Sequence, residues 1–264
     1  MPHKLKLCAN ISLLFSEYPL IERFAAAADQ GFRAVEIQFP YELTVPELCK
    51  VQQRYDLQVP LINVPAGDLM EGGEGLASVP KQRDAFKRAV DECVTYAEAL
   101  GVESVNVLAG RCNDKAERER YYDTFLHNLD YAADQLQSIG VKTLFEAINT
   151  FDMPDFLIHN TAHMQQVLKD LNHCNVAMQF DIYHMSRMDE PIVDQLTELL
   201  PDIGHIQFAD TPQRHEPGTG ELDFPELLKI VEDGQYRNWL GAEYKPRSDT
   251  ESGLNWIEDL GFNR

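Results

Sequence analysis

Positive charge is scarce in this sequence. Its 264 residues include 23 Lys and Arg against 43 Asp and Glu, which gives a formal net charge of −20. Proteins bind the phosphate backbone of nucleic acids mainly through Lys and Arg. We therefore expect no nucleic-acid partner. A large negative charge favours solubility but does not indicate a particular chemistry.

Long apolar runs and paired cysteines are also missing. No run reaches the length of a membrane span, and the N-terminal "MPHKLKLCANISLLF" lacks the apolar segment of a secretory signal. The cysteines are scattered, with no Cys-x-x-Cys pair that would indicate a zinc site or a redox dithiol. We expect a cytoplasmic protein with no membrane contact and with reduced cysteines. The cysteines are Cys8, Cys49, Cys93, Cys112 and Cys174.

The chain has no Gly- or Ser-rich linker, no short-period repeat and no low-complexity tract, so we predict one domain over residues 1–264. Short apolar runs alternate with helical periods along its whole length. The predicted strands are 4–10, 34–39, 58–64, 104–110, 141–148, 175–182, 204–210 and 238–244. The predicted helices are 16–31, 44–56, 79–101, 116–140, 161–172, 190–201, 223–234 and 249–261.

This alternation predicts the fold class. Strands that are apolar at nearly every position suit a parallel sheet covered on both faces, and eight strand–helix units favour a closed barrel over an open sheet. We therefore predict an α/β protein with a single (β/α)₈ barrel. The longest irregular stretch, "NVPAGDLMEGGEGLASVP", follows the third strand. Long loops at that end of a barrel usually cover the mouth, so this stretch is a candidate lid.

Oxygen-bearing side chains end four consecutive predicted strands. Three carboxylates in otherwise apolar surroundings need either raised pKa values or a bound cation. Oxygen ligands without cysteine favour a hard divalent ion, so we predict one Mg²⁺ or Mn²⁺. An acidic residue at a strand end can also be a helix N-cap, an alternative that carries equal weight for Asp181 alone but little for the whole set. The predicted ligands are Glu146, Asp181, Gln207 and Glu243.

Two histidines lie near these ligands. His205 and Gln207 share one face of the seventh strand, so either could be the ligand there, and its position nearer the mouth favours Gln207. His184 follows Asp181 by three residues. It is either a structural histidine or a donor to an oxygen of the substrate.

Several cations follow strand ends and point to an anionic small substrate. Arg214 lies in the loop after the seventh strand, Lys245 follows Glu243 by two residues, and Arg111 comes just after the fourth strand. A guanidinium can bind a carboxylate through two hydrogen bonds. Surface Lys and Arg are common, so each of these residues is a weak signal by itself.

Several stretches resemble a known family. They are "LFEAIN", "QFDIYHM", "HIQFADTPQRHEPGTGELD" and "GAEYKP", together with "CANISLLFSEYPLIERFAAAADQGFRAVE", "FPYE" and "NVPAGD" nearer the N-terminus. The sequence resembles the xylose isomerase-like TIM barrels, and within them the hydroxypyruvate isomerase group. The resemblance covers nearly the whole chain.

The resemblance implies a metal-dependent aldose–ketose isomerase that interconverts hydroxypyruvate and 2-hydroxy-3-oxopropanoate (tartronate semialdehyde) through an enediolate. It implies that Glu146 and Glu243 bind the metal with Asp181 and Gln207 and also transfer the proton. It further implies that His184 and Arg214 contact the substrate, and Asn63, the first residue of "NVPAGD", is another predicted substrate-binding residue. The sequence leaves a homo-oligomer open.

Other activities stay open at this point. A 2-oxotetronate isomerase would have similar strand ends, and ketose 3-epimerases belong to the same superfamily. Those epimerases have a histidine where this chain has Gln207, which favours the isomerases. Abasic-site endonuclease-like metal hydrolases share the barrel but need a cationic groove for DNA, which the composition argues against. A non-catalytic carbohydrate-binding barrel is the remaining alternative.

Overall fold

Eight parallel strands form the centre of the structure, a computed structural model that describes residues 5–262. All eight predicted strands are confirmed, and each is shorter than predicted. The strands are β1 (Lys6–Asn10), β2 (Val35–Glu36), β3 (Leu61–Asn63), β4 (Ser104–Val107), β5 (Lys142–Glu146), β6 (Val176–Asp181), β7 (Ile203–Phe208) and β8 (Trp239–Ala242).

The strands close into a barrel. Seven neighbouring pairs form a parallel sheet in the order β2-β1-β8-β7-β6-β5-β4-β3. The remaining gap between β2 and β3 is spanned by two isolated parallel bridges, Ala34 with Gln58 and Ile37 with Ile62. The predicted (β/α)₈ barrel is therefore confirmed.

Helices connect the strands on the outside of the barrel. They are α1 (Leu20–Asp29), α2 (Val45–Tyr55), α3 (Arg83–Leu100), α4 (Arg118–Ser138), α5 (Thr161–Leu171), α6 (Ile182–Arg187), α7 (Ile192–Leu199), α8 (Phe224–Asp233) and α9 (Trp256–Asp259). The short helix α6 was not predicted, whereas the other eight lie within the predicted segments. None of the helices in residues 5–262 is long and apolar enough to cross a membrane.

The alternation of side chains along each strand separates the core from the site. On β5, Phe145 points outward and packs edge-on against Phe125 of α4, with ring centroids 6.3 Å apart. Its neighbours Leu144 and Glu146 lie on the opposite face, because successive side chains of a strand alternate. The inward row therefore ends in a carboxylate at the C-terminal mouth of the barrel.

Candidate active site

A small cavity lies at the C-terminal ends of the strands, where (β/α)₈ enzymes carry their active sites. Its volume is about 110 Å³. It is lined by Gln38, Phe39, Asn63, Met70, Leu108, Glu146, Ile148, Asp152, Met153, Gln179, His184, Gln207, Arg214 and Glu243. Met70 belongs to the loop that we predicted as a lid, and its side chain remains 55% exposed.

Most of the candidate residues predicted from the sequence lie in this cavity wall. Asp181 lies just behind the wall, and its Oδ2 is 3.5 Å from Nε2 of His184. Of the three cations predicted from the sequence, only Arg214 lines the cavity; among the described residues, Arg111 and Lys245 do not. Arg111 lies in an isolated bridge to Phe156, and Lys245 is exposed in the loop beyond β8.

Glu243 follows β8 and is held by two amides. Its Oε1 accepts hydrogen bonds from Nε2 of Gln38 at 2.6 Å and from Nδ2 of Asn10 at 3.1 Å. Its other oxygen, Oε2, accepts a hydrogen bond from Nη2 of Arg214 at 2.5 Å. One oxygen is therefore fixed by the barrel, while the other meets the cation of the site.

Glu146, at the end of β5, is held in the same way. Its Oε2 accepts hydrogen bonds from Nδ2 of Asn106 and from Nε2 of Gln179, both at 3.0 Å. Its Oε1 lies 3.9 Å from Nε2 of His184. Each of the two glutamates thus has one oxygen fixed by two amide donors and the second oxygen turned toward the site, where that of Glu243 meets Arg214.

Asp181 ends β6 and begins α6 without an intervening loop. Its Oδ1 caps the helix by accepting hydrogen bonds from the backbone nitrogens of Tyr183 at 2.8 Å and His184 at 3.4 Å. Its Oδ2 is buried and has no hydrogen-bond partner among the described residues. The helix cap therefore uses one oxygen of Asp181 and leaves the other without a hydrogen bond.

His184 is held in its neutral form. Because Nδ2 of Asn149 can only donate, the hydrogen bond of 2.7 Å between it and His184 makes Nδ1 the acceptor and leaves the proton on Nε2. Burial, reinforced by Arg214, lowers the pKa of His184 well below its usual range. The Nε2–H group therefore faces Glu146 and Asp181 as a donor.

Arg214 brings a permanent positive charge to the carboxylates. It lies in the loop after β7 with a left-handed φ of 62°, and its guanidinium stacks 5.0 Å from the ring centre of Tyr183. Its Nη2 is 3.6 Å from Oδ2 of Asp181 in addition to its bond with Glu243. Burial opposes the charge, but the surrounding carboxylates outweigh it and raise the pKa of Arg214 above its usual range.

Asp210 holds the loop that carries Arg214. Its Oδ2 accepts from the backbone nitrogens of Gly218 at 2.8 Å and Gly220 at 2.9 Å, and its Oδ1 accepts from those of Thr211 at 2.8 Å and Leu222 at 3.2 Å. Gly220 is required here, because a Cβ at this position would lie 1.9 Å from the carbonyl oxygen of Thr211.

The carboxylates carry more negative charge than Arg214 neutralises. Burial, together with Glu243 and Asp181, raises the pKa of Glu146 well above its usual range. Burial raises the pKa of Glu243 to about 8 despite the nearby guanidinium, and burial also raises that of Asp181. Without a further cation, the cluster would therefore retain protons at neutral pH.

The donor set fits a divalent metal ion. Glu146 and Asp181 offer ligand oxygens that lie within 4.8 Å of one another and of a ring nitrogen of His184. His184, whose Nε2 carries the proton, faces these oxygens as a donor and not as a ligand. Oδ2 of Asp181 is buried without a partner and needs one. A bound cation would remove the repulsion that raises the carboxylate pKa values.

Side-chain amides that the strand-end pattern does not predict hold the carboxylates and the histidine. They are Asn10, Gln38, Asn106, Asn149 and Gln179. Asn10 and Asn106 stand among apolar residues in predicted strands, and Gln179 precedes Asp181 by two residues and so shares its face. Those positions were a usable signal.

Comparison with known proteins identifies similar chains. The family model "xylose isomerase-like TIM barrel" matches residues 24–260. The chain is 40% identical to a hydroxypyruvate isomerase of Escherichia coli K12, over 96% of this chain and 98% of that protein. It is 37% identical to a 2-oxo-tetronate isomerase of Cupriavidus necator, over 96% of this chain and 97% of that protein. A crystal structure named AP endonuclease, family 2, from Brucella melitensis superposes with a TM-score of 0.93 at 36% identity, over 98% and 99%.

Proposed function

Because this chain belongs to the xylose isomerase-like TIM barrel family, we propose that it is an isomerase that interconverts hydroxypyruvate and 2-hydroxy-3-oxopropanoate. The observation that carries this proposal is the pair Glu146 and Glu243, which face one small cavity from different strands. Each has one oxygen fixed by two amides and the other turned toward the site. Full-length similarity to a hydroxypyruvate isomerase agrees with this reaction.

The reaction moves a proton between neighbouring carbons through an enediolate, which requires a positioned base. Glu243 is positioned for this by the two amides that fix its Oε1. One glutamate would take the proton from C3 of hydroxypyruvate, and the same or the opposite glutamate would return a proton to C2. The neutral His184, through Nε2–H, would donate to a substrate oxygen as negative charge develops there.

Glu146, Asp181, Gln207 and Glu243 are the residues we propose to hold a divalent ion, Mg²⁺ or Mn²⁺. When bound, the ion would act as a Lewis acid toward the substrate oxygens. For the substrate carboxylate we propose Arg214, with Asn63 on the opposite wall. Roles for Arg111 and Lys245 stay predictions from the sequence.

The site is built for a small molecule. The cavity holds about 110 Å³, and its apolar walls include Phe39, Leu108 and Ile148. The deficit of basic residues argues against a DNA substrate, although a similar structure carries the name of an endonuclease. The unpaired cysteines agree with the cytoplasmic location that we propose.

A second candidate substrate is 2-oxo-tetronate. A relative with that activity in its name is 37% identical to this chain over 96% of its length, which is close to the value for the hydroxypyruvate isomerase. The two substrates differ by one carbon. A comparison of kcat/KM for both, with Mg²⁺ and with Mn²⁺, decides between them, and a tenfold preference for 2-oxo-tetronate would favour this candidate.

The variant Glu243→Gln tests the proposed chemistry. We expect kcat to fall roughly 100- to 10,000-fold, because an amide cannot take up the proton, while circular dichroism stays native. Glu221→Gln is the matched control, since Glu221 is an exposed glutamate in the loop after β7. Near-native turnover by Glu243→Gln would refute the assignment. If solvent deuterium does not enter hydroxypyruvate with the native protein and metal, the barrel only binds its ligand.

A further inference from the structure

Glu36 is a buried carboxylate that the site described above does not use. It ends β2, is fully buried, and does not line the cavity. Its Oε2 lies 2.7 Å from Nε2 of His205 and 3.3 Å from Sγ of Cys8. A charge buried inside a barrel is costly even when it is paired, so its presence needs a reason beyond packing.

The second oxygen of Glu36, Oε1, is connected to the catalytic glutamate Glu243 through one shared amide. Oε1 of Glu36 accepts a hydrogen bond from Nδ2 of Asn10 at 2.8 Å. The same Nδ2 group also donates to Oε1 of Glu243 at 3.1 Å. One amide therefore joins the two carboxylates and offers a proton to each.

Oε1 of Glu36 is also connected to the other catalytic glutamate, Glu146, through two glutamine side chains. It accepts a hydrogen bond from Nε2 of Gln207 at 2.6 Å. The Oε1 of Gln207 accepts in turn from Nε2 of Gln179 at 2.6 Å, and that amide also donates to Oε2 of Glu146 at 3.0 Å. The hydrogen bonds thus form one continuous belt across the barrel: Glu146, Gln179, Gln207, Glu36, Asn10 and Glu243.

Glu36 determines which way each amide group in the belt is oriented. An ionised carboxylate can only accept, so Asn10 and Gln207 must both turn their NH₂ groups toward Glu36. The oxygen of Gln207 then faces Gln179, which must present its own NH₂ group. Consequently both ends of the belt donate to the catalytic glutamates, and neither end presents an oxygen that would repel them.

We propose that Glu36 is a positioning residue for both catalytic glutamates and for Gln207, acting through the belt. The inference rests on the proposed function for its kinetic part. It assigns to Glu36 the orientation of groups that touch substrate and metal, and no contact with either.

The neighbouring strand leaves space for this carboxylate. A Cβ at Gly241 of β8 would lie 2.3 Å from Oε2 and 2.5 Å from Oε1 of Glu36. Only glycine allows the carboxylate to lie there. Nε2 of His205 on β7 meets Oε2 of Glu36 from the other side at 2.7 Å.

Two variants of Glu36 test the proposal. In Glu36→Leu the acceptor is gone, so the amides of Asn10 and Gln207 lose their fixed direction. We expect kcat for hydroxypyruvate and the affinity for Mn²⁺ each to fall about 10- to 100-fold, with KM changed less than threefold. In Glu36→Gln the side-chain oxygen can still accept from both amides while its NH₂ group turns to His205. We expect this variant to keep kcat within fivefold of native.

Cys8→Ala is the matched control, because Cys8 touches Glu36 on the side away from the belt. It should keep native kcat and Mn²⁺ affinity even if its melting temperature falls. The proposal is overturned if Glu36→Leu loses no more than Cys8→Ala, if its loss appears only in KM, or if Glu36→Gln loses as much as Glu36→Leu.

Two further measurements keep the test decisive. If Glu36→Leu does not fold, Asn10→Ala breaks the same belt at one link, and kcat within twofold of native in that variant would overturn the proposal. Mn²⁺ binding is measured by titration calorimetry without substrate. A native protein inactive on both candidate substrates would thus refute the proposed function, while the Mn²⁺ affinities would still decide the role of Glu36.

Discussion

Asp181 shows how one side chain serves both the fold and the site. Its Oδ1 caps α6, and its Oδ2 stays buried without a partner beside His184 and Arg214. The helix α6 begins at the very end of β6, so the cap and the site occupy the same point of the chain. Substitutions can separate the two roles, because they depend on different oxygens.

Asp181→Asn should keep the cap and lose the metal. The amide oxygen can still accept from Tyr183 and His184, but an NH₂ group replaces the unpartnered Oδ2. We expect Mn²⁺ affinity to fall at least tenfold, whereas the melting temperature of the metal-free protein should change little. Asp181→Ala also loses the cap and should be about 1 kcal/mol less stable than Asp181→Asn. Native Mn²⁺ affinity in Asp181→Asn, measured by calorimetry, would contradict the ligand role.

At the residue scale, the sequence predicts which polar side chains stand at the strand ends but not which residues hold them in place. Glu146, Gln207 and Glu243 reach one cavity because parallel strands in a barrel end on the same face. Arg111 and Lys245 also follow strand ends, but neither lines the cavity. Beyond the last ladder bond, the alternation of side chains no longer fixes where a residue points, and that explains the difference.

At the element scale, the loop between β7 and α8 contributes to the site without being part of a helix or strand. It delivers Arg214 to Glu243 and depends on Asp210, which accepts four backbone hydrogen bonds. The sequence indicates a turn at Gly218 and Gly220, within "PGTG". It did not identify Asp210, because the pattern "FADTPQ" does not show that this aspartate folds back on the loop.

Asp210→Ala should loosen this loop and move Arg214. Four backbone N–H groups would lose their acceptor, so the guanidinium would no longer be held in place for an anionic substrate. We expect KM for hydroxypyruvate to rise about tenfold with a smaller change in kcat, measured by steady-state kinetics. Thr219→Ala, which removes one hydrogen bond in the same loop, is the control and should have native KM. An unchanged KM in Asp210→Ala would show that the loop is ordered without it.

The sequence predicts an element well where its periodic pattern is long and poorly where the pattern is short. Helices such as α3 and α4 extend over several turns and bury one face, which the sequence displays clearly. Helix α6 has six residues, "IYHMSR", directly after an apolar strand, and so its apolar residues read as a continuation of that strand. Strand β2 has only two residues in place of the predicted run 34–39, since apolar character continues beyond the ladder.

At the scale of the whole molecule, folding stability should depend on pH through histidines kept neutral. His163 on α5 packs against His159 at 4.5 Å between ring centres, and its Nδ1 is buried without a hydrogen-bond partner among the described residues. Burial, then His159 and Arg118, lower its pKa to about 4. Between its unfolded value near 6.5 and this value, the unfolded chain takes up a proton that the folded protein does not, so stability falls as pH falls.

His163→Gln should reduce this pH dependence. Between pH 7.5 and pH 5 we expect the native protein to lose up to about 2 kcal/mol more free energy of unfolding than the variant does. Urea unfolding at the two pH values measures it. His127→Gln is the control, because His127 is exposed on α4 and should leave the native dependence unchanged. An equal loss in native protein and His163→Gln would show that His163 does not contribute.

The way the barrel closes between β2 and β3 should determine where its wall opens first. Between β2 and β3 the strands meet through only two isolated bridges, and Glu36 and Gln38 lie beside this seam. Amide hydrogen exchange should therefore be fastest along it within the barrel wall. Each transient opening would displace Gln38, one of the two amides that hold Glu243, so that warming would loosen this glutamate before the chain as a whole unfolds.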